Sequence, residues 1–145
     1  MNTKQLGNIG EAKAISAFVE RQIPVFIPFG DNEKADLLVE LNGKLKRIQI
    51  KTSKKASDGK VEFDLTSCTL HRKNGARHKY NLDEVDYFFC YNVERRKSYL
   101  IKNDKTMTVI RLRYEKPKNN QTQNINFEED YLFENVIESI LTTNC

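Results

Sequence analysis

The feature that most limits what this chain can become is the dipeptide Asn42-Gly43, set between two apolar-rich runs. Asn-Gly in that setting is the strongest short-range hairpin signal, because both residues accept the positive φ of a tight primed turn. The stretch from Asp36 to Lys51 is therefore predicted to be two short strands folded back on each other. On the second strand Ile48 and Ile50 alternate with Arg47, Gln49 and Lys51, which share the opposite face. The fold-back sets Asp36, at the start of the first strand, near Gln49 and Lys51, at the end of the second. A carboxylate, an amide and an ammonium then meet at one end of a small sheet.

The flanking sequence supplies the layers around this hairpin. At 145 residues the chain is expected to form one domain with its own core, residues 1–145. Thr3 to about Gln22 reads as a helix capped by Thr3, with Leu6, Ile9, Ala14, Ala17 and Phe18 at helical spacing. Gly7 and Gly10 each weaken it by about 1 kcal/mol against Ala. Close approach of its first turns to another backbone would offset that cost, and Glu11 would lie near the tight face. Ile23 to Phe29 is a short, proline-bounded strand suited to a sheet edge.

After a turn at Asp58-Gly59, Val61 to Leu65 alternates as a half-buried strand. Asp86 to Val93 is nearly continuous apolar and aromatic sequence, the pattern of a central strand buried on both faces. Ser98 to Ile101 returns as its hairpin partner, and Met107 to Tyr114 adds another strand. A polar linker over 116–126 leads to an amphipathic helix from Glu128 to Leu141, whose acidic first turn favours the helix dipole. Helix, strands, helix predicts a mixed α/β fold, a central mixed β-sheet flanked by helices.

Net charge is +4, which by itself barely favours nucleic acid over other partners; the distribution matters more. Cys68, Cys90 and Cys145 are scattered and odd in number, without metal-type spacing, as suits a reducing interior. The sequence opens straight into the helical pattern and holds no apolar run of membrane length. A soluble, cytoplasmic protein with no membrane partner is expected.

Phosphodiester hydrolysis needs a hard cation to neutralise phosphoryl charge and lower the pKa of an attacking water. Asp36 is a candidate ligand, with Glu11 as a second carboxylate if the first helix packs over the hairpin end. Lys51 beside it is placed to orient a water or offset charge, and Gln49 offers a neutral, weaker oxygen.

The segments Gly10-Glu11-Ala12, Ala35-Asp36-Leu37 and Ile48-Gln49-Ile50-Lys51-Thr52-Ser53, followed by Val85-Asp86-Tyr87-Phe88, resemble the PD-(D/E)XK nuclease superfamily. More narrowly, they resemble the homing endonucleases of that fold encoded in bacterial group I introns, over roughly the first hundred residues. The resemblance implies a restriction-endonuclease-like core and Mg²⁺ as cofactor, with Mn²⁺ as a substitute. It implies metal binding by Asp36 with Glu11 in support, the backbone carbonyl of Ile50 as a further ligand, and Lys51 as catalytic lysine. Gln49 stands where most of the superfamily carries Asp or Glu, which favours fewer or more weakly held ions. The group usually has a second core helix before its later strands, yet Leu70 to Leu82 shows no helical stripe.

Basic residues cluster around the hairpin at Lys44, Lys46, Arg47, Lys51, Lys54, Lys55 and Lys60, with Ser57 among them. A second basic segment, expected to be an exposed loop or hairpin, carries His71, Arg72, Lys73, Asn74, Arg77, His78 and Lys79. Beside a site that cuts phosphodiesters both read as a DNA-contacting surface, lysines on phosphates and the Arg, His and Asn residues toward base edges. His71 and His78 lack the partners and spacing of a zinc site. Cutting both strands of double-stranded DNA implies a homo-oligomer, at least a dimer with a tetramer plausible; the carboxy-terminal helix and the Tyr87–Tyr91 strand are candidate interface elements. A restriction enzyme or Holliday-junction resolvase would use the same residues, and an inactive DNA-binding module would explain Gln49.

Overall fold

The computed structural model describes residues 1–30, 34–68, 77–79, 84–119 and 123–143. Helix α1 spans Thr3–Glu20. Its cap is Asn2 rather than Thr3: Asn2 Oδ1 accepts the Gln5 N–H and Gln5 Oε1 accepts the Asn2 N–H, each at 2.9 Å. This reciprocal pair satisfies two otherwise orphaned donors, which makes Thr3 the first helical residue. The helix stops before Gln22, which turns into the left-handed region at φ 60°.

Strand β1 (Val25–Phe26) is shorter than its apolar run, because Pro24 and Pro28 limit the ladder on either side. The hairpin follows as β2 (Leu37–Leu41) and β3 (Lys44–Ser53). Asn42 and Gly43 sit at φ 53° and 79°, the two positive values that a primed turn requires. Then come β4 (Lys60–Asp64), β5 (Thr66–Cys68), β6 (Arg77–Lys79), β7 (Tyr87–Asn92), β8 (Lys97–Lys102), β9 (Val109–Arg113) and β10 (Asn126–Phe127). β5 and β6 pair antiparallel, so the basic segment is at its base a hairpin, with Thr66 opposite Lys79. His71, Arg72, Lys73 and Asn74, and part of the stretch expected to lack a helix, lie outside the described residues.

The last helix, α2, spans Phe133–Thr142 and begins later than the expected Glu128. Glu128–Asp130 instead form a 3-10 turn. The intervening backbone is claimed by β8: Leu100 N–H donates to Tyr131 O at 2.9 Å and Leu132 bridges Tyr99. Sheet contacts thus outbid an early helix start.

Five strands form a mixed sheet in the order β1-β2-β3-β7-β8, with β3 and β7 parallel and the other neighbours antiparallel. One face carries Leu37, Val39, Leu41, Ile48, Phe89, Tyr91 and Leu100 and is covered by Ala14 and Phe18 of α1 and Phe133 and Ile137 of α2. Phe18, Phe89 and Phe133 meet there with ring centroids 5.1–6.0 Å apart. Burying each such ring contributes roughly 1.5–3 kcal/mol. The other face, with Phe88, Cys90, Tyr99 and Ile101, packs on Val61, Phe63, Ile110 and Leu112 of a second sheet ordered β10-β9-β4.

The expected mixed α/β architecture is therefore present, with both helices on one side and a second sheet on the other. β7 is buried on both faces as its composition demands. For that reason it cannot be the interface strand anticipated from sequence: β3 and β8 occupy its edges and its rings fill both cores. On α2, Phe133 and Ile137 are buried in the core, while Val136, Ile140 and Leu141 pack against it and stay partly exposed.

Candidate active site

The site is assembled where α1 crosses the open end of the β2–β3 hairpin. Gly10 makes the crossing possible: a Cβ there would stand 2.0 Å from Thr52 Oγ1 and 3.2 Å from Ile50 Cγ2. The close approach expected for both helix glycines thus belongs to Gly10, while a Cβ on Gly7 would meet nothing within 4 Å. The next residue, Glu11, is exposed and faces an open cleft of about 390 Å³. Leu6, Gly7, Asn8 and Glu11 form one wall; Asp36, Gln49, Ile50 and Lys51 form the other.

Asp36 sits just before β2, its N–H donating to Ile48 O at 2.8 Å. Its Oδ2 accepts the Ile50 N–H at 2.9 Å, which points the carboxylate across the hairpin toward β3. Burial raises its pKa above the ordinary value of 3.8; the Ile50 N–H opposes this, the Glu11 carboxylate adds to it, and the Lys51 ammonium opposes it. The net direction is upward because desolvation outweighs the favourable contacts. Gln49, next to it on the cleft wall, has its Oε1 buried with no hydrogen-bond donor among the described residues. Lys51 Nζ donates to the backbone carbonyl of Thr66 at 2.9 Å.

A buried amide oxygen without a donor is costly to leave unmade. On the same cleft as two carboxylates, one of them raised in pKa chiefly by burial, it marks a place suited to a hard cation with oxygen ligands. The donor set fits such an ion, although among the described residues no three His, Cys, Asp or Glu side chains cluster. Gln49 brings a neutral oxygen to the cleft, not an acidic one.

The structure brings together Glu11, Asp36, Gln49, Ile50 and Lys51. The basic residues divide. Lys54, Lys55 and Ser57 are exposed on the connection that leaves β3 at the cleft end, and Lys60 opens β4. That connection is anchored by buried Asn92, whose Nδ2 donates to Ser53 Oγ at 2.8 Å and Lys55 O at 3.1 Å. Lys44 and Lys46 lie toward the turn at the other end of β3; at a rise of about 3.3 Å per residue, Lys44 is some 23 Å from Lys51. Arg47 is engaged by Asp86, whose Oδ2 accepts its N–H at 2.7 Å and its Nε at 3.3 Å. Arg77, His78 and Lys79 form β6. Sequence reasoning passed over Thr66, although Asp64-Leu65-Thr66 has the spacing of a side-chain-closed turn.

These elements, a helix carrying a glutamate laid across a hairpin that presents Asp, Gln and Lys, define a nuclease of the PD-(D/E)XK class. The chain belongs to the PD-(D/E)XK endonuclease family, whose model matches residues 1–134. Members act on DNA and generally use divalent metal ions. Among solved structures, that of a bacterial homing endonuclease, I-Ssp6803I, superposes with a TM-score of 0.78 over 99% of this chain and 95% of that one. Sequence identity is 23%, so the likeness is one of fold. No curated protein matches the chain. Among the described residues no helix is long and apolar enough to cross a membrane.

Proposed function

We propose that this endonuclease is a Mg²⁺-dependent, site-specific enzyme of the homing kind that cuts both strands of duplex DNA. The observation that carries the reading is the convergence of Glu11, Asp36, Gln49 and Lys51, from one helix and one hairpin, on a single cleft. Asp36 and Glu11 would hold the cation, with Gln49 Oε1 and the Ile50 carbonyl completing the protein ligands. A cation bound there would neutralise phosphoryl charge and acidify a water.

The chain's own groups do the rest. Asp36 is oriented by the Ile50 N–H, which occupies Oδ2 and leaves Oδ1 for the ion. Lys51 holds a fixed positive charge beside the scissile phosphate, where it orients water and offsets charge that builds toward the transition state. Lys54, Lys55, Lys60 and the β5–β6 hairpin supply phosphate and groove contacts. One cleft serves one strand, so two copies about a two-fold axis are needed for a double-strand cut.

The test is incubation with genomic and plasmid duplex libraries with Mg²⁺ or Mn²⁺, followed by sequencing of the ends. Recurrent, paired cuts are expected, and Lys51→Ala is expected to slow cleavage at least about 100-fold. Binding without cutting under either metal would establish the inactive-module reading, which the neutral Gln49 favours. Preference for four-way junctions over duplex would turn the assignment to a resolvase.

A further inference from the structure

We infer that Asp64 and Thr66 form a positioning element that sets Lys51 from the base of the β5–β6 hairpin. The inference rests on the nuclease reading of Lys51. A lysine carries a flexible four-carbon stem with about 2 kcal/mol of rotamer entropy, so its ammonium acts from a defined place only where something holds it. The Thr66 carbonyl does this at 2.9 Å.

That carbonyl is itself held from one side. Asp64 Oδ1 accepts both the Thr66 N–H at 2.9 Å and the Thr66 Oγ1 at 2.6 Å, closing a local turn. Leu65 between them is fully buried, and its N–H donates to Thr108 O at 2.8 Å. The chain up to Thr66 N is thereby fixed to the second sheet. The Thr66 carbonyl, however, belongs to the peptide plane that joins Thr66 to Ser67, and a peptide plane moves as a unit. This plane is the first of the hairpin, with Lys79 opposite Thr66 and His78 opposite Ser67 in the ladder. By holding Thr66 at its N–H and hydroxyl, Asp64 limits how far the acceptor of Lys51 tilts.

The experiment compares Asp64→Ala, which removes the acceptor, with Asp64→Asn, which keeps an oxygen at the same place. Two readouts are taken. In metal-free protein at fixed pH, the acylation rate of Lys51 is measured by mass spectrometry against Lys55 as internal reference. With Mg²⁺, single-turnover cleavage at saturating DNA is measured beside the DNA Kd. Asp64→Ala is expected to raise the relative Lys51 rate and to slow cleavage on the order of tenfold with Kd within about twofold. Asp64→Asn should restore both, and in a Lys51→Ala background Asp64→Ala should change cleavage no further.

Unchanged Lys51 acylation in Asp64→Ala overturns the positioning element, as does a variant whose Kd weakens while saturated cleavage stays at the parent rate. Altered acylation in a protein whose parent form cuts no DNA leaves the element standing and overturns the nuclease reading instead.

Discussion

Asp36 shows what the site costs the fold. Its carboxyl titrates above the ordinary value, so the native protein binds this proton more tightly than the unfolded chain does. The stabilisation that follows is complete below pH 3.8 and is lost as pH rises through the raised native value. At neutral pH the folded protein therefore carries an ionised, part-buried carboxylate at a net cost. Asp36→Asn, which can still accept the Ile50 N–H, is expected to raise the melting temperature of metal-free protein at pH 7 and to abolish cleavage. The stability difference should vanish in melts below pH 3.8. Mg²⁺ should raise the melting temperature of the parent and not of the variant, because only a competent site gains binding free energy on folding. At this scale Asp36, Gln49 and Lys51 were legible, since strand alternation and one turn place them. The acceptor of Lys51 was not, because a backbone carbonyl has no letter in the sequence.

Among elements, the contrast between Gly7 and Gly10 separates packing from propensity. Gly10→Ala adds a Cβ 2.0 Å from Thr52 Oγ1 and should destabilise the protein by about 1–3 kcal/mol in spite of Ala's better helix propensity. Gly7→Ala meets open space and should stabilise it by up to about 1 kcal/mol. Denaturant unfolding of the two variants measures both. Helical spacing marked the two glycines alike, because whether a missing Cβ is used depends on a strand some forty residues away. The same limit explains the late start of α2. Acidic residues after a linker read as a helix start, yet Glu128 is engaged elsewhere. Its Oε1 pairs with Arg95 Nη2 and its Oε2 accepts the Tyr99 hydroxyl, both at 2.8 Å, while Arg95 stacks 3.6 Å over Tyr114. Glu128→Ala strands a largely buried guanidinium and should cost about 3 kcal/mol in the same unfolding measurement.

At the scale of the whole molecule, fold class and the hairpin were legible, while the parallel pairing of β3 with β7 and the second sheet behind it were not. Periodicity reports which residues are buried; it does not say which distant strand buries them. The arrangement sets Lys54 and Lys55 just past the cleft end of β3, so the electrostatic part of DNA binding should centre there. The slope of log Kd against log salt is expected to fall by about one for Lys54→Ala, and by about two for Lys54→Ala with Lys55→Ala, in fluorescence anisotropy titrations.

The parallel pairing of β3 with β7 also orders events in time. Every described residue of the cleft lies between Thr3 and Thr52, and the hairpin within it closes locally, on the scale of about 1–10 μs. A two-stranded hairpin is marginal alone, and β3 gains its second neighbour only from residues 87–92. During synthesis from the amino terminus, at about 5–20 residues per second, Glu11, Asp36, Gln49 and Lys51 thus emerge seconds before the strand that makes their scaffold rigid. The Thr66 anchor follows in the same interval. A nascent chain near its template would hold the parts of a DNA-cutting centre without their alignment, and competence would arrive as one late, cooperative step.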